Sequence, residues 1–473
     1  MIGWNTETRV WASGGAGADL IKKIPNLDGT LTLATEGFTE DFGRIVHRKP
    51  LAVLRPRSVT DVQKIVRYCA RYQIAVAVNG QSGSGTERES HSHYGQALVD
   101  GGVAIDLTTL SDIRRLERGR ADIGAGAVWS TLALRALETG QMPPVYNDYA
   151  HLSIGGTLSV GGLGGASQHF GAQADNIDWL QVVTGTGELI TCSRTRHREL
   201  FEAVLVGAGQ FGIIVRVGAR LVPAAQSVRS FEFSYTDREA FLRDSLAIMR
   251  SGVVNDQNGY AVPQPSGGWA YRLAVGVFYT GAAQPDVATV RQVLSAQARL
   301  ESTADLSMRE WLLRFEPNWA ALKEAGFWTT KKPWLMMFVS TENSRAYLDT
   351  VLGELTVNQM GAGQVRISPM TSRTLSTPNL VLPARRTDEF FEISLIRVPA
   401  PDFTDTESLL EQNRRFYDRA VGLGGKRYLV GAVPSTTRSD WRAHFGDRWP
   451  DLTRMKRRYD PASILTPGQR IFR

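Results

Sequence analysis

The sequence predicts an α+β chain built from two structural units, and three observations carry that expectation. Its 473 residues exceed the roughly 250–300 at which a single hydrophobic core stops growing. Between residues 50 and 110 short apolar runs flank an amphipathic helix, the texture of an α/β unit. From about Ser227 onward, after a break around Val222-Pro223-Ala224-Ala225, helix-length stretches alternate with aromatic-rich strands, as in an antiparallel sheet covered by helices.

In chain order, LAVLRP is a short strand ended by Pro56. Ser58 or Thr60 can then cap a helix whose Val62, Ile65, Val66 and Cys69 recur at the spacing of one helical face. IAVAVN and GGVAIDL lack polar alternation, which suits strands covered on both faces. A glycine-dense stretch from Ile154 to Gly171 precedes the strand-like LQVVTG, ELITCS and GIIVRV. In the second unit, DREAFLRDSLAIMRSG, DVATVRQVLSAQARLEST and SRAYLDTVLGEL read as helices, and WAYRLAVGVFYTG, KKPWLMMFVS and EFFEISLIRV as strands. The last stretch, YDPASILTPGQRIFR, is too apolar to read as a free tail.

Composition narrows the function classes. Two cysteines, Cys69 and Cys192, exclude a disulfide framework and a cysteine-rich metal site, and suit a reducing cytoplasm. A net charge of +7 spread over this length reads as a solubility feature, so no nucleic-acid partner is expected. No membrane span and no secretory signal are expected either.

The loop NGQSGSGTERESHSHYGQ, Asn79 to Gln96, follows a buried strand. Its glycine and serine content fits a plain surface turn; its position after that strand fits a ligand cradle. It contains neither a phosphate-loop lysine nor GxGxxG. GAGQFG does match GxGxxG, but it runs into a strand rather than opening a helix, so the dinucleotide-fold context fails. His91 and His93 lack partners at metal-ligand spacing, and no metal is expected. Asp148, in YNDY, has a plain reading as a turn residue after Pro143-Pro144.

The segment HSHYGQALVDGGVAIDL resembles the His-Ser-x-x-Gly-Gln region of flavoproteins of the vanillyl-alcohol-oxidase type (the PCMH-type FAD-binding fold), and most of all the cytokinin dehydrogenases. LAVLRPRSVTDV, YNDYAHLSIGGTLSVGG, TGTGELITCS, GAGQFGIIVRV, KKPWLMMFVS, QNRRFYDRA and YDPASILTPGQRIF fall in the family's order. The resemblance implies an FAD-binding domain from residues 1–224 and 430–473 and a substrate-binding cap from 225–429. It implies FAD, bonded covalently through His91, with Ser92, Gln96, Ser153, Ser159, Leu163, Ile214, Tyr428 and Gln469 beside it. Gly80 and Gly156 are expected to let backbone N–H groups approach the pyrophosphate, with TERE bulging to solvent. Asp148 falls on the family's catalytic aspartate, a general base that takes a substrate proton while hydride leaves to the flavin. Tyr149, His151 and His93 are read as packing.

Three departures separate this chain from the family. About eight residues, SGSGTERE, are inserted before the histidine; Asn258 stands where a second acidic residue is expected; and Met336 follows Pro333-Trp334-Leu335 where the family has Asn. Asn258, Trp334 and Met336 are therefore candidate substrate contacts, and FWTTKKPW a candidate lining for a planar molecule. Retained FAD-side residues with altered substrate-side residues predict an oxidase or dehydrogenase acting on a C–N or C–O bond of a small planar secondary metabolite, such as an antibiotic precursor, with oxygen or another acceptor reoxidising the flavin. The alternatives are a cytokinin dehydrogenase proper and a flavin-containing protein that sequesters a metabolite with little turnover.

Overall fold

The computed structural model describes residues 2–13, 21–83 and 89–472. A small sheet forms first. Ala52–Arg55 and Val76–Asn79 both run parallel to Val103–Asp106 between them, and Thr30–Thr32 adds an antiparallel edge. The crossover is the helix Val59–Tyr72, capped by the Ser58 hydroxyl, which accepts the Asp61 N–H. Its Val62, Ile65, Val66 and Cys69 face is wholly buried against the sheet, as the periodicity predicts. Asp61 is buried too, but its carboxylate accepts the N–H groups of Asp28, Gly29 and Arg57, which outweigh the burial penalty and hold its pKa below the ordinary value.

A five-stranded antiparallel sheet follows, in the order Leu189–Ser193, Ile177–Val183, Ile213–Arg220, Arg120–Gly124, Ile113–Glu117. The chain returns to this first unit near its end. The Val76 N–H donates to the Ile464 carbonyl and the Thr466 N–H to the Val76 carbonyl, at 2.8 and 2.7 Å, and Ile464 and Leu465 join the small sheet's core.

The second unit is an eight-stranded antiparallel sheet. Its order is Arg299–Ser307, Ser227–Tyr235, Trp269–Tyr279, Asp256–Pro263, Gln364–Thr371, Glu389–Ile396, Leu335–Ser340, Lys426–Gly431. The helices Arg238–Ser251, Thr341–Glu354 and Thr406–Gly422 supply Phe241, Ile248, Tyr347, Leu348, Val351, Phe416 and Ala420 to the core on one face. Because successive strand residues point to opposite faces, Phe391, Ile393 and Leu395 enter that core while Glu392, Ser394 and Ile396 face the other way. Val365 and Ile367 alternate with Gln364 and Arg366 in the same manner.

One expected helix is corrected. DVATVRQVLSAQARLEST is helical only over Val287–Arg291, and Arg299–Ser307 is an edge strand paired with Ser227–Tyr235. The Asp244 carboxylate accepts both the N–H and the hydroxyl of Ser295, fixing the turn between the two, and strand pairing overrides the helical spacing.

Candidate active site

A deep cavity lies between the first unit and the uncovered face of the eight-stranded sheet. Its two walls are built differently. One is largely backbone from three glycine-bearing loops: Asn79 to Ser82, Ser153 to Leu163, and Ala208 to Ile214. Gly80 is required for the approach of the first two, since a Cβ there would lie 2.0 Å from the Ser153 hydroxyl oxygen. The Ser153 N–H donates to the Ser82 hydroxyl, and the Gly162 N–H donates to the Tyr428 hydroxyl at 2.9 Å. The amide nitrogen of Asn79 is buried and has no protein partner, an unmet donor on the cavity wall.

The loop carrying the histidines is held by Asp41. This carboxylate accepts the Ser92 hydroxyl and the Gly95 N–H, at 3.1 and 2.8 Å, and burial pushes its pKa up to about 7 against those bonds. His91 is stacked between Phe42 and Tyr149, with ring centroids at 4.4 and 4.5 Å, and Trp328 tilts against it at 5.8 Å. Tyr149 packs on His91 and also lines the cavity. His93 is packed, stacked on Trp334 at 4.4 Å; burial, with His91 and Lys332 nearby, drives its pKa down to about 3, so it is neutral.

Glu89 corrects another expectation. Thr86 to Arg88 lie outside the described residues, but Glu89 turns inward rather than to solvent. It accepts the Trp328 indole N–H at 2.6 Å, pairs with Arg44 at 3.2 Å and lies 3.3 Å from His91 Nε2. An antiparallel bridge joins Ser82 to Glu89.

The opposite wall consists of side chains on the sheet. Asp148, from the first unit, reaches it: Oδ2 lies 3.9 Å from Arg366 Nη1, and Oδ1 is buried with no partner. Arg366 donates to Asn258 Oδ1 and to the Ser368 hydroxyl, at 2.8 and 3.0 Å, and its Nε lies 3.6 Å from Glu392. Burial opposes the guanidinium charge, but Asp148 and Glu392 outweigh it and raise its pKa. Burial likewise raises Glu392, with Arg366 pulling against the shift. Asp256, behind them, pairs with Arg314 at 3.3 Å.

The cavity therefore brings together Gly80, His91, Ser92, Gln96, Asp148, Ser153, Gly156, Ser159, Leu163, Ile214, Tyr428, Trp334 and Met336. Two anticipated residues stand apart. Asn258 is 2% exposed and sits behind Arg366, bonded to it and to Asp256; the Gln469 carbonyl accepts the Trp441 indole N–H away from the cavity. Sequence reasoning passed over Phe42, Tyr149, Tyr260, Arg366, Glu392 and Ser394. The polar alternation in QVRIS and FEISLI was the available signal for Arg366, Glu392 and Ser394. No comparable signal marks Phe42.

A model described as cytokinin dehydrogenase 1, FAD and cytokinin binding, matches residues 226–472, just over half the chain, and an FAD binding domain model matches residues 50–193. The chain belongs to the cytokinin dehydrogenase family. It is an FAD-dependent oxidoreductase with the two-domain vanillyl-alcohol-oxidase-type fold. It is 35% identical to an uncharacterized oxidoreductase in the fasciation locus of Rhodococcoides fascians, covering 91% of this chain and 95% of that one. Cytokinin dehydrogenase 2 of Arabidopsis thaliana is 30% identical over 98% of this chain and 96% of its own length. The crystal structure of 6-hydroxy-D-nicotine oxidase from Arthrobacter nicotinovorans shares the fold, with a TM-score of 0.69 at 21% identity over 93% of this chain and 96% of that one. The glycine-lined wall fits the family's dinucleotide, whose pyrophosphate takes backbone N–H donors without a lysine, and the unmet side-chain N–H of Asn79 adds a polar donor beside it. No helix among the described residues is long and apolar enough to cross a membrane.

Proposed function

We propose that this oxidoreductase removes a hydride from a C–N or C–O bond of a small planar secondary metabolite, as a cytoplasmic tailoring enzyme, with its flavin bonded covalently to His91. The observation that carries the reading is the Asp148 carboxylate on the cavity wall, with one buried oxygen unpartnered. In this reading FAD, when bound, accepts the hydride and is reoxidised by molecular oxygen or another acceptor. Asp148 takes the N–H or O–H proton of the substrate, and Arg366 holds a compensating charge beside it. Tyr149, Trp319, Trp328 and Trp334 offer flat apolar faces that orient a planar ring and exclude water. Gly80, Ser153, Gly156, Ser159, Leu163, Ile214 and Tyr428 hold the cofactor, with Ser92 and Gln96 at its edges. The cofactor-holding unit comprises residues 1–224 and 430–473, and the cap 225–429.

Three features argue for a substrate other than a cytokinin. Met336 lines the cavity where an amide stands in the family pattern, Asn258 is engaged by Arg366, and the wall carries the Arg366–Glu392 pair. The test is anaerobic mixing of the holoenzyme with planar arylmethylamines, arylmethanols and N6-alkyl adenines, followed by mass spectrometry of the recovered compound. Bleaching of the flavin by an amine or alcohol, with a product two hydrogens lighter, is the expected result. Compounds that shift the flavin spectrum yet return unchanged would overturn the enzymatic reading, and fastest bleaching by the adenines would restore cytokinin as substrate.

A further inference from the structure

Glu89 comes from the inserted stretch before the histidine and is the carboxylate nearest His91. Its Oε1 lies 3.3 Å from His91 Nε2, within ion-pairing range though out of line for a well-formed hydrogen bond, and Nε2 has no other partner. The imidazole is clamped on both faces by Phe42 and Tyr149, which fix the plane of the ring. Glu89 is itself fixed by the Trp328 indole N–H and by Arg44. Burial opposes the Glu89 charge, but His91, Trp328 and Arg44 outweigh it and hold its pKa below the ordinary value; burial lowers that of His91, against the pull of Glu89. An anionic carboxylate therefore faces a neutral imidazole at its Nε2 edge.

From this geometry we infer that Glu89 is a positioning residue for flavin attachment: it keeps the imidazole proton on Nε2, leaving Nδ1 with the free lone pair that bonds the flavin methyl carbon. The inference rests on the covalent reading given above. In the step, the Nδ1 lone pair forms the N–C bond as a methyl C–H breaks. The two electrons of that C–H bond stay in the isoalloxazine ring, and the methyl proton and the Nε2 proton, the latter taken up by Glu89, leave to that ring or to water. Molecular oxygen then accepts the two electrons and two protons as hydrogen peroxide, restoring oxidised flavin. The insertion thus supplies a group that acts on His91, besides lengthening the loop.

The test measures total FAD per chain and acid-stable FAD per chain in the purified full-length holoprotein. Wild type should retain its flavin after acid precipitation. Glu89→Gln, which keeps the shape and the Trp328 contact, should bind FAD yet gain the covalent bond at least about 10²-fold more slowly when apoprotein is incubated with saturating FAD, the lower end of a proton-handling contribution. Glu89→Asp should recover part of that rate. Glu40→Gln, which removes the other carboxylate paired with Arg44 and leaves Glu89 in place, should attach flavin at close to the wild-type rate. Full-rate attachment in Glu89→Gln would overturn the inference alone. Acid-labile flavin in wild type would overturn the covalent reading and this inference with it. Equal loss in Glu89→Gln and Glu40→Gln would show that Glu89 only holds the loop.

Discussion

The two walls of the cavity differ in what builds them. The glycine-loop wall is made of backbone, and almost every residue assigned to it from the sequence lies there: Gly80, Ser153, Gly156, Ser159, Leu163 and Ile214. The sheet wall is made of side chains: of the residues singled out for the substrate side, Trp334 and Met336 line the cavity but Asn258 sits behind the surface, while Arg366 and Glu392 form the surface itself. A backbone wall leaves its mark as glycines close together in sequence. A side-chain wall is assembled from strands dozens of residues apart, so each residue gains meaning only through its neighbour across the sheet.

The largest effect expected on this contrast comes from Asp148, which bridges the walls. Asp148→Asn should leave the oxidised flavin spectrum unchanged and slow anaerobic flavin reduction by about 10²–10⁴-fold, read by stopped-flow absorbance. Wild-type rates would remove Asp148 from the chemistry.

Next comes the charge of the sheet wall. Arg366→Met leaves buried Glu392 without its counter-charge, and should cost about 3–5 kcal/mol in denaturant unfolding. Adding Glu392→Met should recover most of the loss, because an apolar pair replaces an ion pair without stranding a charge. A double variant no better than Arg366→Met would show that the pair is not energetically coupled.

On the loop wall, Gly80→Ala forces a methyl group to within 2.0 Å of the Ser153 hydroxyl oxygen. About 1–3 kcal/mol of strain is expected, seen as weaker retention of FAD by the apoprotein in equilibrium dialysis. Restoration by the added change Ser153→Gly would locate the strain at that contact.

Away from both walls, a pH dependence is expected. The Asp41 carboxyl is raised from 3.8 to about 7 by burial, so between these values the folded protein holds a proton that the unfolded chain releases. This contribution is full below about pH 4 and is lost as pH rises through about 7. Asp41→Asn lacks it, so the melting temperature of the variant relative to wild type should climb from pH 4 to pH 8. Buried His93 titrates in the opposite sense, but it is present in both proteins and cancels in the difference.

Much of the fold was legible for local reasons. The Ser58 cap and the face of Val62, Ile65, Val66 and Cys69 are written within fifteen residues, and the structure uses them as written. The segment from Asp286 to Thr303 misled because Ala, Gln, Arg and Leu suit a helix, whereas pairing with Ser227–Tyr235 decides the outcome from seventy residues away. Glu89 misled for a related reason. A charged insertion reads as solvent-facing, yet Arg44 and Trp328, far from it in sequence, provide the partners that bring it inside. His91 was legible as a residue, but its setting between Phe42 and Tyr149 was not.

The return of the chain to the small sheet has a consequence for the order of events in the cell. Thr466 lines the cavity, and its N–H bonds to the Val76 carbonyl, in the strand that leads into the loop carrying His91. A chain still being synthesised has made that strand and its histidine hundreds of residues before it makes Thr466. Until residue 466 has cleared the ribosomal exit tunnel, the strand edge at Val76 is unpaired and the cofactor wall is incomplete. A complete flavin pocket therefore forms only once Thr466 has emerged, and until then the growing polypeptide must keep a half-built pocket soluble without the ligand that will fill it.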